Sequence, residues 1–223
     1  MGNKKIHINE SQEKVLMKEA MIDGFSLETL KSLPSFNAKV KYCRQYLGNH
    51  IGKGSSRIVF QLDDQWVLKL ALNPKGISQN EEEYSLANDC YVSITPKVDK
   101  NRCDVDNYEY VVSEYVLPAK SDDFKHIFGI NFKTFASMLR TAAKQKDRRG
   151  FYSPCLPSDV FYNLVENNDE LGEFCEYIYN YNVCVGDMFN LRQYGMVLRN
   201  NEPTIVLLDS GLTENVWERF YRR

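Results

Sequence analysis

Histidine is nearly absent from this sequence of 223 residues: His7, His50 and His126 are the only three, and none sits within a few residues of a serine or cysteine placed to be a nucleophile. That scarcity argues against histidine-dependent triads and zinc hydrolases, although groups distant in sequence can meet in space. The six cysteines, Cys43, Cys90, Cys103, Cys155, Cys175 and Cys184, include no Cys-x-x-Cys pair. Zinc and dithiol sites of that spacing are therefore absent, and the cysteines read as reduced thiols packed as small hydrophobes. No apolar run nears the roughly 20 residues of a membrane span, and the start, Met-Gly-Asn-Lys-Lys-Ile-His, lacks a signal-peptide core. A cytoplasmic protein with no membrane partner is expected. Gly2 follows Met1, but Ile6 stands where a myristoylation signal has Ser or Thr. Charge of one sign is also missing, with 28 basic against 30 acidic residues, so nothing general favours nucleic acid or an anionic membrane. The basic stretch from Lys144 to Arg149 is the local exception and reads as the solvated end of a helix. Internal repeats and low-complexity linkers are lacking too.

What is present is apolar material, 43% of residues, enough for one sizeable core or two small lobes packed together. Asn9 and Gln12 have capping-box spacing and predict a helix to about Met21, ended at Asp23-Gly24-Phe25. A second helix is expected after Ser35, carrying Val40, Tyr42, Cys43, Tyr46 and Leu47 toward Gly48. From Asn49 the period becomes that of strands, at residues 50–53, 57–62 and 65–72, with Asp63-Asp64 as a tight turn. Asn73-Pro74-Lys75-Gly76 reads as a further turn, followed by a helix from Ser78 to about Cys90 and strands at 94–98 and 108–116. Beyond Pro118 helices are expected at 122–128, 132–145 and 158–181, the last broken near Asn167-Asn168, before strands at 195–198 and 204–208 and a short terminal helix. These elements divide the chain into an N-terminal helical extension (1–47), a β-rich lobe (48–117) and a reduced helical lobe (118–223).

Three places carry chemistry. Ile51-Gly52-Lys53-Gly54-Ser55-Ser56-Arg57-Ile58-Val59 joins two strands through glycines, which let backbone amides approach phosphates closely; an ordinary hairpin turn has the same composition. In Trp66-Val67-Leu68-Lys69-Leu70-Ala71 a lysine interrupts an apolar strand, either as a solvated edge residue or as a buried cation in want of an anion. Glu81, Glu82 and Glu83 on the following helix, or a nucleotide's phosphates, could supply that anion. Far along the chain, Val185-Gly186-Asp187 precedes the apolar strand Ile205-Val206-Leu207-Leu208 and Asp209-Ser210-Gly211. Two aspartates brought together there could serve as base and metal ligand, or Asp209 could simply close a turn.

Taken in order, the glycine loop, strand lysine, helix glutamate, Ser113-Glu114-Tyr115-Val116 linker, Gly186-Asp187 and Asp209-Ser210-Gly211 resemble the protein-kinase-like superfamily over residues 48–212, and among them the compact bacterial and phage members. The resemblance implies a two-lobed α+β fold, with a small antiparallel sheet and one helix above a reduced helical lobe, binding ATP with Mg2+. It implies that Gly52, Gly54 and Ser55 cover the phosphates and Val59 packs beneath the adenine. Lys69 then bridges phosphates and pairs with Glu83 or Glu82, and the backbone of Glu114 and Val116 meets the adenine edge. Asp187 orients or deprotonates the acceptor, and Asp209 binds the metal with Asn190 or Gln193.

The sequence also departs from that pattern. Arg57 replaces the third loop glycine, Val-Gly-Asp resembles the His-Gly-Asp of small-molecule phosphotransferases, Arg192 replaces the expected asparagine, and Ser210 replaces phenylalanine. Only 12 residues follow Gly211, which leaves no activation segment and predicts an acceptor, protein or small molecule, held by other parts of the chain. The helices between Leu117 and Val185 could supply that wall or be an ordinary packing face. The leading expectation is a phosphotransferase to a hydroxyl; a pseudokinase scaffold, a nucleotidyl transferase and a phage structural protein are the other classes the residues admit.

Overall fold

The computed structural model describes residues 24–87, 93–147 and 152–221. The helix expected from Asn9 to Met21, Cys90 and the last residues of the basic stretch lie outside them. Ser26 and Ser35 each accept a backbone N–H and open α1 (Leu27–Ser32) and α2 (Phe36–Leu47), the latter closed by Gly48 at φ 78°. Four antiparallel strands follow in sheet order: β1 (Gly52–Lys53), β2 (Arg57–Gln61), β3 (Trp66–Ala71) and β4 (Tyr110–Glu114). The Asp63 carboxylate accepts from the amides of Gln65 and Trp66 and makes the turn between β2 and β3.

Between β3 and β4 lies α3 (Pro74–Leu86), and it begins four residues earlier than expected. Asn73-Pro74-Lys75-Gly76 is the helix start, because the Asn73 side chain accepts from Lys75 and Gly76 and proline, which lacks an N–H, costs nothing in the first turn. The strand expected at 94–98 is also corrected: it reduces to a single bridge from Val98 to Ser113. Pro96 removes a ladder donor in the middle of that segment.

Beyond the link β5 (Leu117–Pro118) come α4 (Ser121–Phe128), α5 (Phe132–Lys146), α6 (Ser158–Glu166) and α7 (Asp169–Asn180), the last two separated at Asn167-Asn168 as the sequence indicates. A second antiparallel sheet, β5 with β6 (Tyr194–Arg199) and β7 (Glu202–Leu207), carries the end of the chain into α8 (Glu214–Phe220). The Lys146 ammonium donates to the carbonyls of Ile178 and Tyr181, so the basic end of α5 caps the carboxyl end of α7.

The buried apolar residues form two separate cores. One joins the first sheet to the N-terminal helices through Phe25, Leu30, Cys43, Ile58, Phe60, Leu68 and Val112. The other is an aromatic cluster of the helical part around Phe124, Phe135, Phe174 and Tyr194. The fold is α+β in two lobes, with the small sheet and one crossing helix above a mainly helical base, as the kinase-like pattern implies. Residues 24–47 are part of the small lobe's core. Lys39 is fully buried there, donating to the Lys31 and Leu33 carbonyls and paired with Glu109.

Helix α3 lies so close to the sheet that a Cβ at Gly76 would fall on the Ser56 carbonyl oxygen and 3.0 Å from the Ala71 Cα. Neither neighbour is a flexible side chain. Gly76→Ala should therefore destabilise the fold by about 1–3 kcal/mol, read as a lowered thermal midpoint at about 2–4 °C per kcal/mol. An unchanged midpoint would show that α3 is not seated on β2 and β3 in this way.

Candidate functional site

The alternation of β3 places Lys69 on the sheet face that meets α3, where Glu83 comes round on the third turn of the helix. The Lys69 Nζ donates to Glu83 Oε1 at 2.5 Å and to the Leu208 carbonyl at 2.9 Å. Lys69 is 7% exposed and Glu83 3%. Glu83, not Glu82, is thus the partner of Lys69; Glu82 interacts with Thr213. Because Leu208 directly follows β7, the lysine also ties the small lobe to the segment that leads from that strand into Asp209.

Arg57 is the residue that sequence reading treated only as a missing glycine. Strand pairing sets Arg57 opposite Ala71 and Val59 opposite Lys69, so all four side chains share one sheet face. The guanidinium donates from Nη1 to Glu83 Oε2 at 2.6 Å and Asn80 Oδ1 at 3.2 Å, and from Nη2 to Asp209 Oδ1 at 2.6 Å. Burial alone would raise the Glu83 carboxyl, but Lys69 and Arg57 together outweigh it and hold Glu83 below the usual carboxylate range. Burial also opposes the charge on Arg57, and the two carboxylates more than compensate.

A cleft of 520 Å³ opens over this network between the lobes, within the size range of small-molecule sites. Ile51, Val59 and Val67 line it from the sheet and Leu208 from below, beside Glu114, Tyr115 and Val116 of the link. The Val116 N–H has no acceptor among the described residues, whereas the amides of Glu114 and Tyr115 bond to the Lys97 and Gln65 carbonyls. The Glu114 side chain takes no part in the cleft chemistry: both its oxygens accept from Arg199 on β6 at 2.6 Å. Gly52 and Gly54 line the cleft, but Ser55 is exposed outside it and Ser56 stands in its place, its hydroxyl on Gln79. Sequence reading also missed Lys53 and Arg192 as cleft residues.

Asp187 opens a short 3-10 turn, Asp187–Phe189, that the buried Tyr194 holds by donating its hydroxyl to the Met188 carbonyl at 2.6 Å. A small pocket beneath the cleft is lined by both Asp187 and Asp209. Partial desolvation, and then the Asp209 charge, raise the Asp187 carboxyl above its usual range, which suits a group that must accept a proton. Gln193 lines the cleft beside Asp209, but Asn190 turns its side-chain oxygen to the Arg192 amide. The arrangement does not fit a divalent ion held by Asp209 and these amides. One Asp209 oxygen already carries the Arg57 guanidinium, and the Asn190 side-chain oxygen is held by the Arg192 amide.

Glu83→Gln leaves two buried cations short of an anion and should cost about 3–5 kcal/mol of unfolding free energy at neutral pH. Because the folded pKa is depressed, this contribution is complete above the unfolded value of about 4.5 and is lost as pH falls through the folded one. Chemical unfolding from pH 7 to pH 3 should show the gap between parent and variant closing in acid. A gap that is constant with pH would mean Glu83 is not held as a carboxylate.

No protein-family model matches the chain, and no curated protein matches it. Among solved structures it is similar to the streptomycin and ATP ternary complex of APH(2")-IIa, at 14% identity and a TM-score of 0.35 over 80% of this chain and 72% of that one. It is also similar to the ADP-bound aminoglycoside phosphotransferase APH(2'')-Ib, at 16% identity and a TM-score of 0.35 over 77% of this chain and 69% of that one. A third likeness is to the GDP and kanamycin complex of APH(2")-IIia, at 12% identity and a TM-score of 0.39 over 74% and 67%. Values this low carry no activity, nucleotide or substrate over to this chain.

Proposed function

We propose that the cleft binds ATP and that the protein transfers the γ-phosphoryl group to a hydroxyl of a protein or small-molecule acceptor. The observation that carries this reading is the buried Lys69–Glu83 pair, which holds an ammonium on the wall of a nucleotide-sized cleft. A strand lysine buried with a helix glutamate has no need of that position for packing alone, since an apolar pair of similar volume would be at least as stable.

In this reading the adenine lies between Val59 and Val67 above and Leu208 below, its edge toward the free Val116 N–H. The triphosphate then runs toward Gly52, Gly54 and Lys69. Asp187 accepts the acceptor's proton while the hydroxyl oxygen bonds to the γ-phosphorus; the bond from that phosphorus to the β-phosphate oxygen breaks, and ADP leaves. Lys69 and Arg57 offset charge on the phosphate oxygens, and no step is assigned to a metal. The second reading, a nucleotide-binding scaffold without transfer, is favoured by one feature, the Arg57 guanidinium on Asp209.

Binding to the folded state alone raises its stability, by about 2.7 kcal/mol when ATP stands 100-fold above its Kd. ATP should therefore raise the thermal midpoint of the parent and of Asp187→Asn, but not of Lys69→Ala. Release of phosphate from γ-labelled ATP, with water as acceptor, should fall about 100-fold or more in Asp187→Asn, as for loss of a general base. No midpoint shift in the parent at millimolar ATP would sink the nucleotide reading; a shift without phosphate release would select the scaffold.

A further inference from the structure

The charges around the cleft do not balance. Lys53, Arg57, Lys69 and Arg192 line it against two carboxylates, Glu114 and Asp209. Glu114 is neutralised by Arg199 outside the cleft and Asp209 by Arg57 inside it. Lys53 and Arg192 are exposed on the wall and have no carboxylate partner among the described residues.

Arg57 itself is 7% exposed and fixed on three sides by Glu83, Asn80 and Asp209. A guanidinium carries five N–H groups in one plane. The bonds recorded occupy both hydrogens of Nη1 and one of Nη2, so that Nε and the other Nη2 hydrogen have no protein acceptor among the described residues. A divalent ion on Asp209 would lie beside a fixed positive group that bonds the same carboxylate at 2.6 Å, and like charges at that range repel strongly in a partly buried site.

The geometry points to Arg57 as a built-in cation that takes the metal's place against Asp209. With Lys53, Lys69 and Arg192 it lets the cleft hold the metal-free polyphosphate of a nucleoside triphosphate. Arg57 is thus a phosphate-binding residue contributed by the first strand after the glycine loop. The inference rests on the nucleotide reading above and goes beyond it by making magnesium unnecessary for ATP to bind.

Calorimetric titration of ATP into the full chain, once with magnesium and once with excess EDTA, tests this directly. The parent's Kd should agree within about threefold between the two buffers. Arg57→Gln should weaken binding in EDTA by about tenfold or more, and magnesium should restore part of that loss because Asp209 is then released to a metal. The exposed Arg192→Gln, which touches no core contact, should weaken EDTA binding by about threefold. A parent that binds with magnesium but loses tenfold or more of its affinity in EDTA overturns the inference and leaves the nucleotide site standing. A parent that binds in neither buffer overturns both, and an Arg57→Gln protein that binds in EDTA like the parent shows that Arg57 is not the cation.

Discussion

Glu83 can remain ionised at 3% exposure only because two cations from different strands converge on its two oxygens, Lys69 on one and Arg57 on the other. Removing a carboxylate from water costs several kcal/mol, and that cost is offset only when each oxygen keeps a good partner. The relative placement of β2, β3 and α3 is therefore constrained by charge as well as by packing. Through Leu208 and Asp209 the same two cations extend that constraint to the end of β7 in the other lobe.

The rest of the structure brings Glu83 to that point. Asn73 caps α3 and fixes where it starts, and the absence of a side chain at Gly76 allows the helix to seat against β2 and β3. One turn later Asn80 donates to the Tyr108 carbonyl while accepting from Arg57, which fixes the rotation of the helix. On the far side Gly211 packs against the Gln79 main chain, where a Cβ would meet backbone atoms, and Tyr177 donates to the Ser210 carbonyl. The segment Asp209-Ser210-Gly211 is thus clamped between α3 and α7. The aromatic cluster plays the matching part for Asp187, since the Tyr194 ring is fixed by Phe124, Phe135 and Phe174 before its hydroxyl reaches Met188.

These relations were unequally visible in the sequence. Lys69, Asp187 and Asp209 could be singled out because a charged residue in or after an apolar strand breaks a local pattern, and α2, α5 and the break between α6 and α7 followed from local caps and periodicity. Glu83 against Glu82 could not be decided, because helix register depends on where Asn73 starts the helix, and Asn-Pro-Lys-Gly reads equally as a turn. Arg57 was hidden for another reason. Its partners lie 26 and 152 residues away, and comparison with a glycine pattern recorded what was missing there, not what the arginine reaches. A signal did exist: Arg57 and Val59 are two apart on one strand, so if Val59 faces the adenine, Arg57 faces the phosphates.

The two lobes are joined by ion pairs of different kinds, and their positions decide how the cleft can open. Glu114 and Arg199 form a two-bond pair beside the link itself. Burial would raise the Glu114 carboxyl, but Arg199 and the Lys97 amide outweigh it. A rotation about the link would move groups beside that pair very little. The bonds from Arg57 to Asp209 and from Lys69 to the Leu208 carbonyl join residues that line the cleft, and the same rotation would stretch them. Parting Arg57 from Asp209 would leave its bonds to Glu83 and Asn80, which lie with the Lys69 to Glu83 pair wholly within the small lobe. In the proposed reading, a polyphosphate in the cleft reaches the guanidinium through Nε and the second Nη2 hydrogen, which have no protein acceptor among the described residues, so that Arg57 can hold Asp209 and phosphate together.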